Sequence, residues 1–189
     1  MDQRQRKTRE ALYAAFKELL AEKDYAKISV ADIIERAGVG RTTFYAHFST
    51  KDALLDDVCC TIFEHVFNTP EAPEPGHDYS QGPCDLHAEV AHLLHHIAEN
   101  DMGVADLICG KSSDVVMARF QRHLYDLASA QIERGELAVE LSGDLPRRFL
   151  AHHFAVSLIG AIHWWVMRGM QKEPDTVAGY FVRVMTAGA

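Results

Sequence analysis

The sequence predicts an all-α protein, and three observations carry that prediction. Apolar residues recur at helical spacing along most of the chain, as at Leu12, Phe16, Leu19 and Leu20, so each such segment has one stripe to bury. No segment alternates apolar and polar residues as a half-buried strand would. Prolines interrupt the periodic segments only at their ends, and four of the six crowd into residues 69–83, where no helix can run.

Taken in order, the periodicity places a first helix from Gln5 to Glu22, then two short helices within residues 29–48. A fourth runs from Lys51 to about Phe67, opening on Ser49-Thr50-Lys51-Asp52, which resembles a capping box with Ser49 as the cap. Beyond the proline-rich connector come helices near Leu86–Asn100, 102–109, 113–134, 145–169 and 174–187. Pro146 and Pro174 suit first-turn positions, while Gly110, Gly135 and Gly143 fall near breaks. The expected architecture is therefore about nine helices: a three-helix head over residues 1–52 and a larger helical domain over 53–189. With 189 residues, 48% of them apolar, the chain is long enough to build both cores.

Residues 29–48 are the most informative stretch. Ser29 is a good N-cap, because its hydroxyl can accept from a first-turn amide. Val30, Ile33, Ile34 and Ala37 then share one face, with Asp32, Glu35 and Arg36 opposite. Gly38 suits the left-handed stop of a helix, Val39 is placed to plug the corner, and Gly40 lets the chain turn again. In the second helix Phe44 and Phe48 can share a buried face, which leaves Arg41, Thr42, Thr43, Tyr45 and His47 pointing outward. A helix-turn-helix unit has this size and grammar, and it lays its second helix in the DNA major groove.

Over residues 8–58, from Thr8-Arg9-Glu10-Ala11-Leu12 to the dense Thr-Phe-Tyr-x-His-Phe-x-x-Lys run at Thr43–Lys51, the chain resembles the TetR family of transcriptional regulators. The resemblance implies an all-helical homodimer with a DNA-binding head and a C-terminal effector and dimer domain. Beyond about residue 59 it extends only to helix content and length. It departs from the family at Ala46, where some members carry a bulky aromatic, and at Val30, which cannot hydrogen-bond to a base.

Charge is an independent check. Residues 1–51 carry ten basic and seven acidic side chains, whereas the whole chain has a net charge of −8, so a basic head sits on an acidic remainder. That asymmetry presents one end of the molecule to DNA. The cluster Arg4–Arg9 is either a frayed, solvated terminus or a phosphate or minor-groove contact. Arg41 and Thr42 stand where side chains reach base edges, and an arginine paired with guanine discriminates by about 1–3 kcal/mol. Thr43, Tyr45, His47 and Lys51 match the positions at which the family grips the sugar-phosphate backbone, and Ser29 is placed to donate to a phosphate.

The segment 149–166 is apolar on more than one face, so it needs a second surface besides its own core, and Ala151, Ala155 and Gly160 would allow close helix approach. A two-fold dimer through the last two helices is the expectation that the resemblance implies. Phe63, Phe67, Leu94, Ile97, Phe120, Leu124, Phe154 and Leu158 are candidate linings for a small apolar effector, with ordinary core as the alternative. Such an effector would tilt the Lys51–Phe67 helix and spoil the spacing of about 34–36 Å between half-sites.

The rival reading is a His-rich metal-binding sensor or metalloenzyme, prompted by eleven histidines, among them the i,i+4 pair His92 and His96. Against it, His87-Ala88-Glu89-Val90-Ala91-His92 lacks the zinc-protease spacing. No catalytic residue, cofactor or resident metal is expected. No run of about 20 uninterrupted apolar residues, no export signal and no C-x-x-C spacing are present. The expectation is thus a cytoplasmic regulator, a repressor in preference to an activator, acting as a homodimer on a palindromic operator in double-stranded DNA.

Overall fold

The computed structural model describes residues 3–67, 86–99, 103–135 and 145–186, with side chains in the helix ending at Phe67 described as far as Thr61. The connector at 69–83 and Gly143 lie outside the described residues. Those residues form nine α-helices: α1 (Gln3–Glu22), α2 (Val30–Ala37), α3 (Arg41–His47), α4 (Lys51–Phe67), α5 (Leu86–Glu99), α6 (Val104–Cys109), α7 (Ser113–Arg134), α8 (Arg147–Met167) and α9 (Pro174–Thr186). A single 3-10 turn, Tyr25–Lys27, precedes α2. There is no strand among the described residues.

The chain divides into two compact units. The first comprises Met1–Thr61 and Asp106–Arg119, and the second Ile62–Ala105 and Phe120–Ala189. The first unit therefore takes in more than the expected 1–52. Its core is built on Leu12, Phe16, Leu20, Ile33, Phe44 and Leu54, all fully buried. The segment after α6 belongs here because it closes the C-terminal end of α1, whose last carbonyls have no intrahelical partner. The Lys111 and Ser112 amides donate to Ala21 and Leu20 carbonyls at 3.2 and 3.1 Å, and Ser112 Oγ donates to Lys23 O at 2.6 Å. Gly110 makes that approach possible: a Cβ there would lie 2.7 Å from Ala21 Cα.

In the second unit α9 packs on α5 and α8. His95 Nε2 meets Asp175 Oδ2 at 2.9 Å, and Phe154 packs edge-to-face on Phe181 at 5.4 Å. Helix α8 is long and apolar enough to cross a membrane by length and composition, although polar residues punctuate its apolar run. Its buried side, Ala151, Phe154, Ala155, Leu158, Ile162 and Trp165, is the core of this unit. Ala151 and Ala155 are fully buried there, so of the three small residues expected at a close helix approach only Gly160 is exposed.

Candidate nucleic-acid interface

The site is set by the corner between α2 and α3. Ser29 caps α2 through a reciprocal box: Asp32 N donates to Ser29 Oγ at 3.2 Å, while Ser29 N donates to Asp32 Oδ2 at 2.8 Å. The Ser29 hydroxyl also donates to that carboxylate, and Lys23 Nζ adds a bond at 3.0 Å. Together they hold Asp32 well below the usual carboxylate range, the Ser29 hydroxyl contributing most. The helix stops at Gly38, whose φ of 65° is left-handed and favours glycine. Gly40 uses no such freedom: at φ −78°, ψ 155° it is ordinary extended backbone, the N-cap of α3. Val39 is half-buried rather than plugging the corner, and with Gln3, Arg4, Lys7, Thr8 and Ala11 it lines a surface hollow beside α1.

Helix α3 is too short to stand alone; it is held by Phe44, fully buried, and by Phe48, 7% exposed, with ring centroids 6.1 Å apart. Anchoring that side leaves Arg41, Thr42, Tyr45 and Ala46 exposed, with Thr43 and His47 half-buried on the flank. The Arg41 guanidinium lies over the Tyr45 ring at 5.6 Å, and Tyr45 itself meets Phe44 edge-to-face at 5.3 Å. Ala46 is the residue that sequence reasoning passed over. Its place on the exposed face follows from its i,i+4 relation to Thr42, and it had counted only as a departure from the family.

Lys51 sits differently from the other expected contacts. Its ammonium donates to the carbonyls of Tyr25 and Ile28, both at 2.8 Å, and stands 4.2 Å from the Tyr25 ring centroid. It therefore pins the turn before α2 to the start of α4, leaving one N–H uncommitted. The cap of α4 is Thr50, whose Oγ1 accepts from Ala53 N at 3.0 Å, and not Ser49. Asp52 is drawn away from the cap by Tyr25 Oη at 2.7 Å and Arg119 Nη2 at 3.2 Å. Burial and then the Asp52 carboxylate push the Tyr25 phenol up.

The head's positive charge resolves into paired and unpaired groups. Arg36 holds Glu18 and Glu22, Lys27 holds Asp24, Lys23 holds Asp32, and Arg6 pairs with Glu10. Arg9 reaches Asp57 at 2.5 Å and Tyr13 at 2.6 Å, so it joins α1 to α4. Among the described residues Arg4, Lys7 and Arg41 have no acidic partner. Arg4 and Lys7 lie in the first turns of α1 with their side chains exposed.

Of the candidate effector linings, Leu94, Ile97, Phe120, Leu124, Phe154 and Leu158 are all buried in the second unit. The side chains of Phe63 and Phe67 lie outside the described residues. His92 and His96 face each other, Nε2 to Nε2, at 2.9 Å. Among the described residues no group of three or more His, Cys, Asp or Glu side chains could hold a metal ion.

Fold and site thus define an all-helical protein with a helix-turn-helix head. The family model described as "Bacterial regulatory proteins, tetR family" matches residues 10–58, and a second, "Transcriptional regulator C-terminal region", matches 85–187. The chain belongs to the TetR family of bacterial regulators. Over 192 residues it is 25% identical to an uncharacterized HTH-type transcriptional regulator, YxbF, of Bacillus subtilis (strain 168), matching 98% of this chain and 46% of that protein. The chain thus spans about half the length of that relative. Among solved structures, a TetR transcriptional regulator from Streptococcus agalactiae 2603V is 28% identical, with a TM-score of 0.67 over 97% of this chain and 96% of that one. NalD of Pseudomonas aeruginosa, described as the secondary repressor of the MexAB-OprM multidrug efflux pump, shares the fold at 20% identity and TM-score 0.64, covering 99% and 98%. So does the dihydroxyacetone kinase operon activator DhaS, at 21% identity and TM-score 0.57, covering 95% and 94%.

Proposed function

We propose that this chain is a homodimeric transcriptional repressor that sets α3 of each protomer into successive major grooves of a palindromic DNA site. The observation that carries the reading is the outward face of α3. Arg41, Thr42, Tyr45 and Ala46 are exposed together over a fully buried phenylalanine, beside cations that no acid neutralises. Arg41 and Thr42 read bases. Tyr45, Thr43 and His47 grip the backbone, Lys51 joins them with its remaining N–H, and Arg4 and Lys7 add charge, while Ser29, whose hydroxyl and amide both donate to Asp32, serves as the α2 cap.

The second protomer joins through α8 and α9. Phe149, Val156, Trp164 and Met167 stand seven, eight and three residues apart along α8, all more than 40% exposed, with Tyr180 and Val184 exposed on α9. A row of large apolar side chains along a folded surface marks an interaction site. A small apolar effector among Leu94, Ile97, Phe120, Leu124, Phe154 and Leu158 would act by changing the spacing of the two α3 helices, and coupling of about 1–3 kcal/mol is enough. Repression is favoured over activation because occluding a promoter needs DNA binding alone, with no further surface for polymerase.

The test is selection of bound duplexes from a random pool at two salt concentrations. A palindromic consensus is expected. Arg41→Ala is expected to relax base choice at one position per half-site, by about 1–3 kcal/mol each. Recovery of no enriched sequence would refute the reading.

A further inference from the structure

The outward face of α3 carries two parallel rows. Arg41 and Tyr45 form one, the guanidinium lying on the phenol ring at 5.6 Å. Arg41 and Tyr45 are both exposed, and a guanidinium's N–H fork matches a flat two-acceptor edge. Thr42 and Ala46 form the other row, and all four side chains line one shallow hollow. On the Thr42–Ala46 side that hollow presents two methyl groups and one hydroxyl. A larger side chain at position 46 would fill it.

In the major groove, guanine offers N7 and O6 to an arginine, while thymine alone among the four bases projects a methyl at C5. The methyl groups lining the hollow one row from the arginine suit that group. Cytosine can still donate its N4 amine to the Thr42 hydroxyl, but its bare C5 would leave the methyl side of the hollow unfilled. We propose that the Thr42–Ala46 hollow is a 5-methyl pocket, so that each half-site pairs a guanine read by Arg41 with a neighbouring thymine recognised by its methyl group. This rests on the DNA-binding reading above and deepens it by naming the base chemistry.

The experiment uses the full chain and the duplex recovered from the random pool, followed by fluorescence anisotropy. Each thymine is replaced in turn by deoxyuridine, which removes the methyl and nothing else. Burying one such group is worth about fourfold in affinity. A loss of roughly that size is expected at one thymine per half-site, beside the guanine whose readout Arg41→Ala abolishes, and about fifteenfold when both half-sites are changed. In Thr42→Ser/Ala46→Ser, exposed changes that leave the core untouched, uracil and thymine should bind alike. Restoring the methyl as 5-methylcytosine should bind more tightly than cytosine at that position. Sequence-specific binding with no uracil-sensitive position, or with sensitivity unchanged in the double variant, would overturn the pocket and leave the DNA-binding reading standing. Failure to select any sequence would remove both.

Discussion

Helices α3 and α8 both turn a face outward, and the two faces are opposite in chemistry. The seven residues of α3 bury the Phe44 ring, with Phe48 buried just beyond, and expose a guanidinium, a hydroxyl, a phenol and a methyl. The twenty-one residues of α8 bury a full core stripe and still expose Phe149, Val156, Trp164 and Met167. A polar face over a rigid apolar anchor suits a wet, charged groove. An apolar face left over after the core is complete suits another protein surface. On the proposed reading, the difference separates the face offered to DNA from the face offered to a second copy.

The largest expected effect tests the α8 side of that contrast. Trp164 is 43% exposed, under the Arg168 guanidinium, so Trp164→Glu should leave the fold intact. A desolvated aromatic at an interface centre is worth about 2 kcal/mol or more. The variant should dissociate at least roughly thirtyfold more readily in sedimentation, with helix content by circular dichroism unchanged. Binding to a full palindrome should weaken with it, while binding to a half-site stays the same. An unaltered dimer would show that this face serves some other end.

Much of this was legible in the sequence, for identifiable reasons. Every described helix begins and ends within a few residues of the periodicity's estimate, because caps and prolines act locally. Phe44 and Phe48 declared the buried side of α3 by their spacing alone. What stayed hidden depends on contacts distant in sequence. Nothing near Gly110 announces that Lys111 and Ser112 complete the end of α1 some 90 residues earlier. Nor does spacing show that Asp52 leaves its cap for Tyr25 and Arg119, or that Lys51 is engaged by two carbonyls. Whether buried apolar side chains such as Leu94 and Phe120 surround an effector or simply fill a core is not encoded in their type, since both tasks select the same residues.

Lys51 sharpens the contrast from within the head, because its ammonium holds the turn before α2 and is also proposed to face DNA. In Lys51→Met the carbonyls of Tyr25 and Ile28 lose a charged donor, and with the site half-exposed the loss should be about 1–2 kcal/mol of stability. Urea unfolding reads that loss. Affinity for all DNA sequences should fall together, with the salt slope reduced by about one ion at most. A variant as stable as the parent would mean the ammonium does not hold the turn in solution.

The smallest effect lies at the start of α2, where the cap presents α3 correctly without touching DNA through its carboxylate. Asp32 is held below its ordinary range first by the Ser29 hydroxyl, then by the Ser29 amide and Lys23. Glu22 and Asp24 are lowered likewise, by Arg36 and Lys27. A carboxylate whose folded pKa lies below its unfolded one contributes stability that is complete above the unfolded value, about 4, and is lost as pH falls toward the folded value. Head stability should accordingly hold from neutral pH down to about pH 4 and decline below it. Ser29→Ala should cost about 1 kcal/mol at neutral pH. Because it removes the chief cause of the Asp32 shift, it should also flatten that acid decline. Thermal unfolding of both proteins followed from pH 6 to 2 by circular dichroism makes the comparison, and superimposable pH profiles would show that the cap is not what keeps the carboxylate charged.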